Sequence, residues 1–399
     1  MKTTKPNHIV CCALPAWEAE YLRSTVELMK CAATENLVLY VDYAYTVSDF
    51  IKGILGKKKF DWKRLVGIKD RLRRISGDGD TGLYVLSLPP VFPAFKIHSY
   101  SFFKLATKVN AALTGFFINK AIKKLKMQDI ISFNAFQPFL GQYWKIKNQK
   151  FSVYYIYDDF SNVPWFQGFV IREEAKFIEK TDLIIVSSDE LKKRKIEINK
   201  PIEVVNNGVH FDSFFNQRKT DKWNESEIKT IGYTGTIDNR LDIDLLDKVI
   251  AKMPSRNFLF VGKIFEKSIY DRLTKYPNVC FQSPVPSESI PLIQRQMDIG
   301  IIPYVCNQLT AAIYPLKANE YLAMGLPVVM TPFASLGEAD EVIYRAVDAQ
   351  AFADCLEKAL TENNLALKQK RYAIAKKANW NERAIGLMNI IDKYKSSTL

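Results

Sequence analysis

A cation and a carboxylate lie three residues apart in the second half of the chain, at Lys317 and Glu320. Pro315 fits the first turn of a helix and Gly325 fits its C-terminal cap, so both side chains share one face of the first turn. Unpaired backbone N–H groups and the helix dipole attract an anion to such a turn. Lysine adds a full charge, and glutamate can accept hydrogen bonds from ribose hydroxyls. This pattern predicts a nucleotide-diphosphate site, although an exposed Lys–Glu pair on an ordinary helix has the same spacing.

Two adjacent carboxylates, Asp158 and Asp159, follow a short apolar run in the first half. The run is typical of a strand, and open α/β sheets bind ligands where their strands end. A carboxylate there can take a proton from a substrate hydroxyl, and two adjacent acids hold one pKa upward. We predict Asp159 as the base and Asp158 as its competitor; alternatively, one of them caps the next helix. Trp17, after the first strand, is predicted either to stack on a sugar or to be a buried anchor.

The spacing of the potential metal ligands does not indicate a metal site. The six cysteines form no Cys-x-x-Cys pair and have no ligand spacing with the three histidines. We interpret them as buried, reduced thiols. Asp78 and Asp80 have the spacing of an Asp-x-Asp metal motif, but they lie in a glycine-rich loop, and we attribute this match to chance. The expected chemistry therefore uses no metal.

Positive charge is concentrated in one region. The net charge is +13, and residues 51–150 hold 20 Lys or Arg against 5 Asp or Glu. Large aromatic residues alternate with the cations of region 51–126, a composition that suits an anionic membrane surface. The alternative is an ordinary solvated basic face whose rings point into the core. Nucleic acid is not expected as a partner, since the sequence has no RNA-binding or helix-turn-helix signature.

The apolar run at residues 9–14 is too short for a signal peptide, and no apolar segment reaches the roughly 20 residues that span a bilayer. We therefore expect a cytoplasmic protein that is peripherally associated with the inner face of the cell membrane.

Short β-type runs alternate with helical stretches along the chain, which predicts parallel sheets covered by helices. The predicted strands are 8–13, 37–41, 83–88, 129–133, 153–157, 183–187, 203–205, 230–234, 258–261, 279–282, 299–302 and 328–330. The clearest predicted helices are 18–33, 101–126 and 169–180.

The strand series pauses at the turn Asn206-Asn207-Gly208 and the polar segment 216–227, which predicts a domain boundary. We predict a Rossmann-like domain at 1–215, a second Rossmann-like domain at 229–378, and a C-terminal helix at 379–399 that returns to the first domain. Two doubly wound domains of this kind are expected to face each other across a cleft.

The segment Ile313-Tyr-Pro-Leu-Lys-Ala-Asn-Glu-Tyr-Leu-Ala-Met-Gly-Leu-Pro-Val-Val329 resembles the glutamate-containing signature of family-four-type glycosyltransferases. Within that family it is similar to the subgroup of teichuronic-acid and exopolysaccharide glycosyltransferases. The resemblance implies the GT-B fold, in which domain 1–215 binds the acceptor and domain 229–378 binds the nucleotide sugar. The implied residues are Asn307, Leu316, Lys317 and Glu320.

Other parts of the family pattern occur in order. The run Thr234-Gly235-Thr236 resembles the glycine loop that approaches the donor phosphates, and Lys263 and Arg240 are implied to stabilise the leaving diphosphate; each is alternatively a surface cation. The turn at residues 207–209 resembles a structural Asn-Gly-Val turn. Many members carry a second glutamate where this chain has Ala312, so the resemblance leaves retention or inversion of configuration open.

Together these features predict a metal-independent hexosyltransferase that uses no cofactor beyond its nucleotide-sugar co-substrate. It is expected to move a sugar from a UDP- or GDP-sugar to a lipid-linked or polysaccharide acceptor at the inner membrane face, in cell-surface polysaccharide biosynthesis. The alternatives are a catalytically silent nucleotide-sugar-binding scaffold and a sugar-nucleotide epimerase of the same fold.

Overall fold

A computed structural model describes residues 5–18, 24–58, 60–159, 168–219, 229–362 and 364–398. The chain divides into two compact units, residues 1–206 with 384–399, and residues 207–383. The first division falls directly before Asn207, at the turn predicted from the sequence rather than after residue 215. The second falls within the C-terminal helix, Trp380–Thr398, whose later residues belong to the first unit.

The first unit is built on an eight-stranded sheet. Its strands are β1 His8–Ala13, β2 Leu37–Val41, β3 Leu72–Ser76, β4 Gly82–Leu86, β5 Ile130–Ala135, β6 Gln149–Ile156, β7 Leu183–Val186 and β8 Ile202–Val204. Their order is β3-β4-β2-β1-β5-β6-β7-β8, and all neighbours are parallel except β3 and β4. Strand order reverses between β1 and β5, so this is a doubly wound sheet with one added antiparallel edge strand.

Helices connect these strands. They are α1 Ser24–Ala32, α2 Val47–Ile54, α3 Trp62–Leu65, α4 Tyr100–Lys124, α5 Pro138–Gly141, α6 Gly168–Glu179 and α7 Asp189–Arg194. The predicted helix 18–33 is observed from residue 24 onward, and residues 19–23 lie outside the described part of the chain. Asp78, in the hairpin between β3 and β4, forms an ion pair with Arg74.

The second unit is a six-stranded parallel sheet. Its strands are β9 Thr230–Thr234, β10 Asn257–Val261, β11 Val279–Gln282, β12 Ile299–Ile302, β13 Val328–Met330 and β14 Ile343–Arg345. Their order is β11-β10-β9-β12-β13-β14, the Rossmann order, with its reversal between β9 and β12. Its α-helices are α8 Phe211–Phe215, α9 Ile243–Lys252, α10 Lys267–Leu273, α11 Ile290–Gln294, α12 Gln308–Ala311, α13 Leu316–Ala323, α14 Ala349–Thr361 and α15 Leu365–Lys377. Helix α16, Trp380–Thr398, starts in this unit and continues into the first.

Two strand glycines let α13 and the segment before β12 pack directly on the second sheet. A Cβ on Gly300 would lie 2.4 Å from the ring of Tyr321, and one on Gly232 would lie 2.2 Å from Met297 Sδ. Tyr321 is fully buried, and its hydroxyl accepts from Thr234 N at 2.9 Å. The position of α13 relative to β9 is therefore fixed by packing and by a hydrogen bond.

The cysteines differ from the prediction. All six are free thiols, but only Cys11 and Cys12, in the fully covered strand β1, are buried, while Cys280 and Cys306 are exposed. Cys280 lies in β11, the edge strand of the second sheet, and Cys306 lies in the loop after β12, so neither is covered on all sides. Among the described residues, no helix combines the length and the apolar composition that crossing a membrane requires.

Candidate functional site

The reversal between β9 and β12 creates a crevice at the carboxyl ends of these strands, the usual ligand position in a doubly wound sheet. The loops that leave the two strands are joined to each other. Asp242 N donates to Pro303 O at 2.8 Å, and Val305 N donates to Arg240 O at 2.8 Å. Both walls of the crevice are therefore held in one rigid arrangement within the second unit.

Glycine is required at two positions of this crevice. Gly235 follows β9 with φ +146°, and Gly262 follows β10 with φ +156°. A Cβ on Gly262 would lie 1.9 Å from Gly235 O, and a Cβ on Gly235 would lie 3.1 Å from Lys317 Nζ. The two backbones and the lysine ammonium thus approach each other without intervening side chains, which leaves backbone accessible to a phosphate.

The ammonium of Lys317 is held at this crevice by two buried tyrosines. Helix α13 begins at Leu316, with Pro315 at the N-cap position. Lys317 Nζ donates to Tyr304 Oη at 2.6 Å and lies 3.4 Å from Tyr233 Oη. It also lies 4.7 Å and 4.9 Å from the ring centroids of Tyr233 and Tyr304. These contacts fix a full positive charge beside the first turn of α13.

The pKa values of the two tyrosines are shifted in opposite directions. Burial alone raises the pKa of a phenol, and it dominates for Tyr233, whose pKa lies well above its usual value. For Tyr304, burial is outweighed by the charges of Lys317 and Arg240, so its pKa is lowered. Because cations stabilise the ionised phenol, they also favour a diphosphate at the same place.

Glu320 lies half-buried one turn along α13. Gln294 Nε2 donates to Glu320 Oε2 at 3.2 Å and to Thr234 Oγ1 at 3.0 Å. Burial raises the pKa of Glu320, against the opposing effects of Lys317, Gln294 and His210. Gln294 is itself fully buried, and its Oε1 has no hydrogen-bond partner among the described residues. The sequence analysis missed Gln294, because no short-range pattern connects α11 with β9 and α13.

The remaining predicted residues of this unit have separate positions. Arg240 makes a bidentate ion pair with Asp238, at 2.9 Å and 2.6 Å, so its charge is largely balanced. Lys263 is exposed and lies 5.0 Å from the ring centroid of Phe265. Asn307 is the N-cap of α12, where its side chain accepts from Thr310 N at 3.0 Å. The structure thus brings Gly235, Leu316, Lys317 and Glu320 to one crevice and gives Arg240 and Asn307 local partners.

The end of α13 and the segment before it are anchored by polar contacts. Gly325 has φ +74° after the last helical turn, as expected of a C-terminal cap, and the buried Arg371 donates to Gly325 O at 3.2 Å. On the other side, Asn207 Nδ2 donates to Tyr314 O at 2.8 Å, and Asn319 Nδ2 donates to Asn207 O at 2.9 Å. The Asn-Gly turn therefore holds the start of α13 in place.

In the first unit, the predicted base is engaged in an ion pair. Asp159 is 7% exposed, and its Oδ2 accepts from Arg194 Nη1 at 2.8 Å. Asp158 Oδ1 accepts from Asp159 N at 2.8 Å. The carboxylate of Asp159 is therefore already engaged by a cation of its own unit. Residues 160–167, which include Phe160 and Ser161 of the predicted segment, lie outside the described residues.

A carboxylate that the sequence analysis missed lies directly after β2. Asp42 is 8% exposed, and its Oδ1 accepts from Trp17 N at 2.7 Å and from Tyr43 N at 2.8 Å. Burial raises its pKa to about 6 despite these two bonds. Trp17 itself is half-buried, edge-on to Tyr40 at 5.2 Å. The position of Asp42 at a strand end was the available signal, the same one that indicated Asp158 and Asp159.

Asp42→Asn is expected to stabilise the protein at alkaline pH. Folding raises the pKa of Asp42 to about 6, so the folded protein binds a proton at this carboxylate more tightly than the unfolded chain does. The stability that this proton contributes is full below pH 4 and is lost as the pH rises through 6. The amide keeps the acceptor for both backbone N–H groups but cannot ionise. The free energy of unfolding should rise by about 2 to 3 kcal/mol at pH 8 and by only about 1 kcal/mol at pH 4.5. Thermal unfolding at both pH values measures this, with exposed Asp354→Asn as control; an equal change at both values contradicts it.

The second unit and the whole fold resemble known proteins. Residues 228–362, about a third of the chain, match the family model described as Glycosyl transferases group 1. The Bacillus subtilis (strain 168) protein named putative teichuronic acid biosynthesis glycosyltransferase TuaH is 29% identical over 222 residues, 52% of this chain and 56% of that protein. The chain thus spans just over half the length of this curated relative.

Solved structures match almost the whole chain. Sucrose-phosphate synthase from Thermosynechococcus elongatus has a TM-score of 0.69 at 13% identity and covers 98% of this chain and 100% of its own. Anabaena HepE, solved in complex with UDP and glucose, has a TM-score of 0.63 at 13% identity, with coverage of 96% and 99%. An E. coli structure described as trehalose-6-phosphate bound with UDP-2-fluoro glucose scores 0.66 at 13% identity, with coverage of 98% and 99%. These likenesses confirm the predicted GT-B fold.

Proposed function

We infer, from the premise that residues 228–362 belong to the group 1 glycosyl transferases and that the chain has the GT-B fold, that this protein is a glycosyltransferase. It transfers a sugar from a nucleotide-diphosphate donor to a hydroxyl of an acceptor glycan. The observation that carries this proposal is the fixed ammonium of Lys317, which lies beside Gly235 at the switch point of the second sheet.

The donor nucleotide is assigned to the second unit. The N–H groups of the first turn of α13, the backbone at Gly235 and the ammonium of Lys317 receive the diphosphate. Glu320, whose carboxylate is oriented by Gln294, accepts hydrogen bonds from the ribose hydroxyls. Lys263, exposed after β10, supplies a further cation. Arg240, which is paired with Asp238, mainly stabilises the conformation of its loop. UDP is the favoured nucleotide, because HepE and the E. coli structure hold UDP or a UDP-sugar.

Charge develops on the departing diphosphate as its bond to the anomeric carbon breaks. A preorganised ammonium and helix dipole stabilise that charge without a metal ion, so the proposed reaction needs no cofactor beyond the sugar nucleotide. Ala312, at the position where many family members carry a second glutamate, is 1% exposed and has no carboxylate. Retention or inversion is therefore to be determined from the anomeric configuration of the product.

The acceptor is assigned to the first unit, with Trp17 as a stacking surface. Asp42 and Asp159 are the two carboxylates proposed to take the proton of the acceptor hydroxyl. Asp42 fits this role better, since a pKa of about 6 suits a base at neutral pH, whereas Asp159 is paired with Arg194. A cell-surface polysaccharide or its lipid-linked precursor is the proposed acceptor, in line with the name of the teichuronic-acid relative. The basic aromatic region 51–126 is proposed to contact the membrane that presents it.

Thermal unfolding in the presence of nucleotides tests the donor site. A ligand that binds only the folded state raises the unfolding midpoint. At a ligand concentration one hundred times Kd, the free energy of unfolding rises by about 2.7 kcal/mol. UDP and UDP-sugars should therefore raise the midpoint, and AMP at equal concentration should not. Transfer is then measured as UDP release that depends on added acceptor. Nucleotide binding without UDP release would favour a catalytically silent scaffold. Conversion of the UDP-sugar into an isomer would favour a sugar-nucleotide epimerase.

A further inference from the structure

Helix α4 of the first unit buries three polar side chains among apolar ones and exposes an apolar face. Thr107, Asn110 and Thr114 are fully buried, where they bond to the helix backbone, to Phe92 and to Trp144. The opposite face is apolar and between 38% and 67% exposed. Its residues are Phe102, Leu105, Val109, Leu113 and Phe116. A surface helix of a protein in water normally exposes polar side chains, so this apolar outer face is adapted to an apolar environment.

The five side chains form one continuous stripe. At 100° per residue they lie within an arc of roughly 80°, and they span about 21 Å of helix at 1.5 Å per residue. Lys120, Lys123 and Lys124 continue the same face toward the C-terminal end of α4. The helix surface therefore changes from apolar to cationic along its length, as an amphipathic element at a membrane interface does.

A cavity of about 620 Å³ opens at the cationic end of the stripe. Four lysines line it, together with Phe116, the last residue of the stripe. They are Lys120, Lys123, Lys126 and Lys147. The cavity lies where the chain enters β5 and β6, at the amino ends of these strands. It is thus at the opposite edge of the first sheet from the residues that follow strand ends, such as Asp42.

The cavity walls are held by backbone and amide contacts. Asn119 Nδ2 donates to Lys145 O at 2.9 Å, and Asn119 Oδ1 accepts from Lys147 N at 2.9 Å. Asn148 Nδ2 donates to Met127 O at 3.1 Å. The main chains that carry the lysines are therefore fixed relative to α4, and only the side chains need to move when an anion enters.

The charge of these lysines is not balanced by neighbouring acids. Lys124, next to the cavity, pairs with Asp70 at 3.3 Å. Across the residues that the structure describes, none of the four lining lysines takes part in an ion pair with a carboxylate, and no acid lines the cavity. Four like charges around one space repel each other, and a bound anion relieves this repulsion.

We propose that this cavity is a binding site for the phosphate headgroup of an anionic phospholipid, whose acyl region receives the apolar stripe of α4. The continuity of stripe and cavity through Phe116 selects a lipid over free phosphate, since only a lipid has both an anionic and an apolar part. This site deepens the proposed membrane contact, but it is independent of sugar transfer, and it requires neither donor nor acceptor.

The test is co-flotation of the full chain with vesicles of phosphatidylcholine alone or with 30% phosphatidylglycerol. Binding should require the anionic lipid. Each cation at such a surface contributes roughly a fivefold change, so changing the four lining lysines to Gln should weaken binding on the order of 600-fold. A matched variant changes four exposed lysines elsewhere, Lys193, Lys248, Lys370 and Lys376, and should bind within about threefold of wild type.

Further experiments distinguish a lipid headgroup from free phosphate, and a failure of the lipid site from a failure of the proposed function. Phe116→Ser should weaken vesicle binding about tenfold, because a buried aromatic ring is lost from the bilayer interface. Inorganic phosphate should compete no better than chloride at equal ionic strength. Equal losses in the two lysine variants, specific competition by phosphate, or a change of oligomeric state in place of vesicle binding would each overturn the site. UDP-induced thermal stabilisation, measured on the same variants, reports separately on the proposed function.

Discussion

Lys317→Ala is expected to lower kcat for sugar transfer by about 100- to 1,000-fold. The ammonium is fixed by Tyr304 Oη at 2.6 Å and by two aromatic faces, so it meets the developing diphosphate charge without reorganisation. Alanine leaves the two tyrosines without their cation, and water cannot replace it in this geometry. Acceptor-dependent UDP release at saturating donor measures kcat, and the dependence on donor concentration measures KM.

Two exposed lysines, Lys263 and Lys370, provide controls for the loss of activity in Lys317→Ala. Lys263→Ala removes an exposed cation that contacts Phe265 and should cost less than about tenfold, while Lys370→Ala, an exposed lysine on α15, should have no effect. A rise in KM with unchanged kcat would show that Lys317 binds ground state and transition state equally. Wild-type rates in the Lys317→Ala variant, with its folding verified, would refute the proposed site.

Much of the fold follows from periodicity in the sequence. Fully covered parallel strands are continuous apolar runs, and β1, β2 and β9 are of this kind, so their positions were predicted closely. Strand β3 was not predicted, because it is an exposed edge strand that contains two arginines, and such strands lack an apolar pattern. Strand β14 was not predicted either, because it is a short edge strand, Ile-Tyr-Arg, without a continuous apolar run.

The sequence predicted site residues only where they lie close together along the chain. The turn that contains Lys317 and Glu320 is a short motif, and the structure places it at the switch point. Its partners come from far along the chain, since Tyr233 precedes Lys317 by 84 residues and Gln294 precedes Glu320 by 26. The pair between Asp159 and Arg194, 35 residues apart, was invisible for the same reason. Spacing thus predicts candidate residues, whereas their protonation and orientation depend on tertiary packing.

Gly262→Ala is expected to disrupt the donor crevice, because a Cβ there would lie 1.9 Å from Gly235 O. Backbone atoms on both sides leave no flexible side chain to move, and the φ of +156° at Gly262 is itself unfavourable for alanine. We expect the free energy of unfolding to fall by about 3 kcal/mol or more, and UDP affinity to fall at least tenfold as Gly235 is displaced from Lys317. Chemical denaturation and UDP titration measure the two effects.

Gly386→Ala is the matched control, because a Cβ at Gly386 meets no atom within 4 Å and the residue lies inside α16. Helix propensity predicts that this variant is unchanged or more stable by up to about 1 kcal/mol. The two substitutions add the same methyl group, so the difference between them isolates the contact with Gly235. If both variants unfold alike and bind UDP alike, the loops after β9 and β10 tolerate separation, and the close approach of Gly235, Gly262 and Lys317 does not define the donor site.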